Sequence, residues 1–248
     1  KDSDTDIVST SIPATFPAEN KVYTAQWTPV YSITYVLNGG SWNSGYTAPD
    51  SYTSSDSVTL PGSANVTQIG YDFASWHEDE SFTGEAVTSI ESGTTGNKTF
   101  YAKWTPRSDT AYTVKHLLQS AVSGSSEYTE DESLREILYG TTGDTTAAVA
   151  RTLTGFYDPT VTQTTIEADG STVVEIQYTR RNFTLAYADG VDGETISVPA
   201  NGTYRYGATV NVRFTPLGAR AGYDFAGWSD GKRMEKAQPM LRVVTACV

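Results

Sequence analysis

Apolar and polar positions alternate with the period of a half-buried strand in several short stretches of the chain. Across residues 98–104, Phe100, Ala102 and Trp104 fall on one face and Tyr101 and Lys103 on the other. Residues 30–37 form a similar opening run, and Asn38-Gly39-Gly40 behind them is a turn signal. Val58-Thr59-Leu60-Pro61 gives a further short strand. In Gly70-Tyr71-Asp72-Phe73-Ala74-Ser75-Trp76, Tyr71 and Phe73 share a face and Trp76 closes the run, which predicts a central strand. The intervening segments read as a polar Ser/Thr/Gly-rich loop to Asp56, an acidic turn at 77–83 and a short helical turn at 86–90.

The pattern repeats. Tyr223, Phe225 and Trp228 restate Tyr71, Phe73 and Trp76, and Tyr187 precedes Gly222 by the interval at which Tyr35 precedes Gly70. Tyr23-Thr24-Ala25-Gln26-Trp27-Thr28-Pro29 likewise matches Tyr101-Ala102-Lys103-Trp104-Thr105-Pro106. Four segments follow: 1–29, the tail of a preceding repeat, with Trp27 packed in or against a sheet; 30–106, a complete repeat; 107–181, of another kind; and 182–248, a second copy. Segment 107–181 carries expected strands at 111–118 and 172–178, an acidic stretch at 127–136 and turns at 140–144 and 167–170. It also carries a candidate short helix at 145–152. The last segment has strands at 183–187, 208–214 and 222–228, then departs from the pattern. Residues 243–248 echo a closing strand, with Val248 where the tryptophan is expected, so this copy reads as shortened or altered at its end.

The order Tyr31…Tyr35, Asn38-Gly39-Gly40, Leu60-Pro61, the 70–76 run and Phe100-Tyr101-Ala102-Lys103-Trp104 resembles the internalin B-type repeat, also called the Listeria–Bacteroides repeat. Ser75 stands where that family usually has glycine, and Gly227 restores it in the later copy. Residues 107–181 are similar, more loosely, to the mucin-binding-protein (MucBP-type) module. These resemblances imply a β-rich α+β fold of tandem small β-grasp (ubiquitin-like) modules, mostly strands with at most one short helix each. They also imply an extracellular place on a bacterial cell surface or cell wall. A stalk or spacer role is implied too, with adhesion to host glycan, mucin or matrix protein as the partner class.

Composition agrees with strands and turns: 38% of the 248 residues are hydrophobic, 12% are aromatic, and only two are methionine. That is enough apolar surface for packed cores and argues against wholesale disorder. A net charge of −12 and a pI near 4.5 repel phosphate backbones and anionic lipid, so neither nucleic acid nor membrane insertion is expected. The single cysteine, Cys247, forms no internal disulfide and no cysteine-based metal site. A signal peptide, membrane-spanning run or sorting signal is not visible, and a chain opening at Lys1 in mid-pattern reads as an excised, monomeric piece.

Catalytic signals are thin. His77 and His116 lie in different segments without metal-ligand spacing, and His77 beside Glu78, Asp79 and Glu80 reads as part of a solvated acidic turn. Glu78/Glu80 and Glu130/Glu132 have carboxylate spacings that an acidic chain produces by chance. Asp2, Asp4 and Asp6 alternate but lack the rest of a calcium loop. No catalytic residue, metal or cofactor is assigned, and an intramolecular Lys–Asn crosslink is not expected. The candidate ligand-binding residues are Trp42, Tyr46 and Tyr52, whose aromatic faces suit a sugar or peptide if exposed. The competing reading makes Trp42 a lid over a small sheet. Two functions therefore compete with the spacer: a glycan- or mucin-binding adhesin module, and a non-catalytic part of a secreted carbohydrate-active enzyme. The expected packing signature is Tyr71, Phe73, Trp76, Tyr101, Trp104, Tyr223, Phe225 and Trp228.

Overall fold

The computed structural model describes residues 24–190, 196–213, 217–229, 234–236 and 243–245. Its first strands are β1 (Val30–Val36), β2 (Ser41–Trp42), β3 (Ser51–Thr53), β4 (Val58–Thr59), β5 (Val66–Thr67), β6 (Tyr71–His77), β7 (Ser89–Ile90) and β8 (Lys98–Pro106). Four of them form a sheet in the order β3-β1-β8-β6, with β1 parallel to β8 and the outer pairs antiparallel. The short strands pair as β2–β5 and β4–β7. The inward positions of the sheet, Ile33, Tyr52, Trp76, Phe100 and Ala102, meet Leu60, Val66 and Ile90 in one core. Residues 86–90 are therefore not a helical turn: buried Ile90 pairs with Val58, and Leu60 N–H donates to Thr88 O at 2.9 Å. Trp27, expected to pack in or against a sheet, is 89% exposed.

The β6–β8 register slips between Phe73 and Ser75, leaving Ala74 unpaired as a bulge. Without it, Phe73 and Trp76 would face opposite sides of the strand. With it, both rings sit in the same core 5.2 Å apart, and Phe73 meets Trp104 edge-on at 5.5 Å.

The second sheet comprises β9 (Thr110–Gln119), β10 (Tyr128–Glu130), β11 (Glu136–Gly140) and β12 (Val173–Tyr178), with a 3-10 turn at Glu132–Leu134. β10 and β11 run antiparallel to β9 along one side, and β12 runs parallel to it along the other. Both sheets thus place the first long strand between an antiparallel neighbour and a parallel last strand. Alternation is strict in β12, whose Val174, Ile176 and Tyr178 are buried against Tyr112, Val114, Ala148, Phe156 and Ile166. Residues 145–152 form no helix. Their polar groups bond across the loop instead: Thr146 N–H donates to Thr164 O at 2.8 Å, and the Gln163 amide bonds both Ala148 N–H and Ala148 O. A β-branched, Thr-rich segment gains more from that extended pairing than from helix.

In the remaining chain, β13 (Asn182–Leu185) pairs with β14 (Gly202–Arg205), β15 (Thr209–Asn211) with β18 (Val243–Thr245), and β16 (Gly227–Ser229) with β17 (Met234–Lys236). Val210 precedes Trp228 by the interval at which Val58 precedes Trp76, and each anchors such a pairing. Residues 243–245 therefore occupy the place of β7, not of the closing strand that the sequence pattern suggested. Among the described residues strand makes up 40% and helix 2%, a β-rich fold almost without helix.

Candidate functional site

The three aromatics expected to bind a ligand do not form one exposed surface. Tyr52 is 3% exposed, because its pairing with Tyr31 turns it inward, and its hydroxyl donates to Gly96 O at 2.5 Å. Trp42 is half-buried over Tyr35, 5.2 Å away, and Trp76, 6.1 Å away, while Tyr46 leans on Trp42 at 5.5 Å. Trp42 and Tyr46 cover the core; Tyr52 belongs to it.

The repeated aromatics build the same small constellation twice. Trp76 Nε1–H donates to Pro61 O at 2.7 Å and Trp228 Nε1–H to Arg213 O at 2.9 Å, each acceptor 15 residues upstream. Tyr35 meets Trp76 edge-on at 5.1 Å, and Tyr187 meets Trp228 at 5.0 Å. Phe225 lies 5.0 Å from Trp228, as Phe73 lies against Trp76. One atom differs in consequence. Arg213 N–H donates to Tyr187 Oη at 2.8 Å, whereas Pro61, at the matching position, has no N–H and leaves Tyr35 Oη buried without a partner. Burial, and then the neighbouring Tyr46, push the Tyr35 phenol up to about 12.

Trp104 is fixed by its indole N–H on Leu37 O at 2.8 Å, and half-buried Tyr101 pairs with His77 across β8 and β6. Half-buried Tyr71 pairs with Pro106 at the far end of β6. Two signature residues are exposed: Tyr223 is 66% exposed under the Arg220 guanidinium, 4.1 Å from its ring, and Phe225 is 37% exposed although its ring meets Trp228. Among the described residues no strand flanks 223–225 as β8 flanks Tyr71 and Phe73.

The histidines are structural clamps. His77 is buried, not in a solvated turn: Nδ1 lies 3.0 Å from Gly84 O and Nε2 2.9 Å from Ser75 Oγ. A carbonyl accepts only from a protonated Nδ1, so Nε2 is the acceptor for the Ser75 hydroxyl. That is the geometry of a nucleophile and base, but Phe82 packs edge-on against the imidazole at 5.4 Å and the pair fastens the 77–84 loop to β6. In that loop Asp79 accepts from Thr83 N–H, Gly84 N–H and the hydroxyls of Ser81 and Thr83, which hold its carboxyl well below the usual range.

His116, wholly buried, lies 2.8 Å from Tyr178 Oη and 3.1 Å from Glu136 Oε1. The Glu136 carboxylate only accepts, so His116 Nε2–H donates to it; in the neutral imidazole Nδ1 then accepts from the Tyr178 O–H, whose oxygen accepts from Arg151 N–H. The Arg151 guanidinium also binds Glu136 at 3.0 Å, and this contact chiefly lowers the Glu136 carboxyl. The network pins the 141–172 loop to the sheet. Among the described residues no group of three His, Cys, Asp or Glu could hold a metal ion.

Polar contacts also bridge the places where one sheet meets the next. Only residues 107–109 separate β8 from β9, and only 179–181 separate β12 from β13. At the first joint, Arg107 N–H donates to Gly70 O, Thr142 N–H to Arg107 O and Thr142 Oγ1–H to Gly70 O, each at 2.9 Å. The Arg107 side chain bridges Asp72 at 3.2 Å and Asp109 at 2.7 Å. Gly70 has φ +76°, and a Cβ there would lie 2.7 Å from the backbone of Ala168, in the turn before β12.

At the second joint, Arg205 Nη1 lies 2.9, 2.9 and 2.7 Å from the carbonyl oxygens of Ser120, Val122 and Ser125. Arg180 Nη1 donates to Tyr206 O at 2.9 Å, and its guanidinium sits 4.7 Å over the Phe156 ring. Tyr206 packs into the second core so closely that a Cβ on Gly155 would lie 2.1 Å from its ring. The segment boundaries at 106/107 and 181/182 were legible in the sequence; the partners Thr142, Ala168, Arg205 and Tyr206 carry no sequence signal of their own.

A search of curated proteins finds no match to the chain. A family model described as the Listeria-Bacteroides repeat domain matches residues 31–103 and 183–239, the two stretches that carry the repeated tryptophan constellation. Domains of this family occur in extracellular surface proteins. The two stretches make up just over half of the 248 residues, and the chain belongs to the Listeria-Bacteroides repeat family.

Proposed function

We propose that the chain is a non-catalytic, extracellular spacer of a bacterial surface protein, built from rigidly joined β-grasp modules. In this reading residues 30–106 and 182–248 are internalin B-type repeats, and 107–181 is a mucin-binding-protein-like module between them. The parallel pairing of first and last strands in both sheets is the arrangement a β-grasp requires, and it supports the fold assignment.

The observation that carries the spacer function is the pair of joints. A flexible tether would leave its backbone to water, and longer polar linkers would allow domain motion. Here three-residue joints are bonded on both sides, and Arg205 and Tyr206 reach from one module into the preceding one. Such contacts limit the angle between neighbours, so a partner presented at one end is held at a defined distance. In the second sheet the histidine is wholly buried, and the carboxylate beside it, Glu136, is occupied by Arg151.

Small-angle X-ray scattering tests the reading. The chain is expected to fit one shape, and a Gly-Ser insertion between Arg107 and Thr110 is expected to broaden the distance distribution. Scattering from the unaltered chain that already demands a wide ensemble would contradict it.

A further inference from the structure

Beside the first joint lies an open groove of about 620 Å³, walled by Tyr71, Phe73 and Trp104 and edged by Gln68, Asp72 and Arg107. We propose that this groove binds a neutral oligosaccharide of hexopyranose units, a role separate from that of the spacer. Three features of the wall select that chemistry.

First, Tyr71, Phe73 and Trp104 all line an open cleft, and the C–H face of a pyranose ring stacks on exposed aromatic surface. Second, the rim carries a carboxylate and a guanidinium 3.2 Å apart, with side chains 67% and 45% exposed. One such pair can accept from one sugar hydroxyl and donate to its neighbour, the pattern offered by vicinal hydroxyls. Third, the amide oxygen of Gln68 is buried without a hydrogen-bond partner, an unfavourable state that a hydroxyl donor relieves once the amide turns toward the groove.

Charge narrows the class further. Arg107 is already shared between Asp72 and Asp109, and the chain carries a net charge of −12, so an acidic sugar would meet repulsion without a free cation. The Trp42–Tyr46 pair lies outside this groove. The later copy has Arg220 at the position of Gln68, already laid over Tyr223, so the Gln68 contact belongs to the first copy.

The test is titration of the whole chain with cellotriose, maltotriose, galactotriose and triacetylchitotriose, followed by calorimetry and by tryptophan fluorescence. Saturable binding of at least one of them is expected. Tyr71→Ala, Asp72→Asn and Gln68→Leu are each expected to weaken it by about tenfold or more, since each removes one contact of the stacking or hydrogen-bonding kind. Trp42→Ala is expected to leave it unchanged.

Gln68→Leu separates a ligand role from a structural one: removing an unpaired buried amide should keep or raise Tm while binding is lost. Asp72→Asn leaves the Arg107–Asp109 pair to hold the joint. Absence of binding to every neutral probe, binding untouched by these three variants, or preference for sialyllactose or a peptide would overturn the proposal. None of those outcomes bears on the rigidity of the joints.

Discussion

At the scale of single residues, the two copies of the tryptophan constellation form an internal control. The same tyrosine stands beside the same tryptophan twice, but Tyr187 Oη receives the Arg213 N–H and Tyr35 Oη receives nothing because residue 61 is proline. Tyr187→Phe should therefore cost about 0.5–1.5 kcal/mol, the net worth of an ordinary hydrogen bond. Tyr35→Phe should be neutral or stabilising, since it removes a buried hydroxyl with no partner. Denaturant unfolding of both variants checks this, and equal losses would refute it. Asp79 gives a pH test. Its carboxyl is lowered in the fold, first by Thr83 N–H and then by Gly84 N–H, so its contribution is present above the unfolded value of about 3.9 and fades as pH falls below it. The Tm gap between the unaltered chain and Asp79→Asn should be constant near neutrality and close below that pH.

At the scale of elements, the strand alternation was legible because each face meets a single environment, as in β12 and in Phe100 and Ala102 of β8. The bulge at Ala74 was not, since register belongs to the pair β6–β8 and neither strand alone encodes it. β3 was hidden for a related reason: Ser51 and Thr53 flank Tyr52 with turn-forming residues, and only pairing with β1 makes them strand. The helix expected at 145–152 failed because Gln163, distant in sequence, supplies its hydrogen bonds. The candidate ligand patch failed with β3, once Tyr52 turned into the core. The glycines show the same dependence on partners. Gly70 and Gly222 share a positive φ, yet only Gly70 has a neighbour among the described residues, Ala168, where its Cβ would be; none of them lies within 4 Å of the other. Gly222→Ala should cost about 1 kcal/mol for backbone strain alone. Gly70→Ala should cost clearly more, and Ala168→Gly should recover little, because the clash is also with the Ala168 backbone. Thermal unfolding of the three variants decides it; equal costs at the two glycines would contradict the joint as described.

At the scale of the whole molecule, sheet order, joint length and the arginine caps point one way. Each sheet has its own core, but the second core is completed by Tyr206 from beyond β13, and the first sheet's Gly70 carbonyl is capped by Thr142 of the second. Units so connected resist bending where flexible linkers would not, the property on which the proposed spacer role depends. The most direct measurement is pulsed electron–electron resonance between nitroxides at Ser55→Cys and Glu175→Cys, both exposed positions, with Cys247 replaced by serine. A single narrow distance, broadened by a Gly-Ser insertion between Arg107 and Thr110, is the predicted result. A broad distribution in the chain without the insertion would contradict the locked joint.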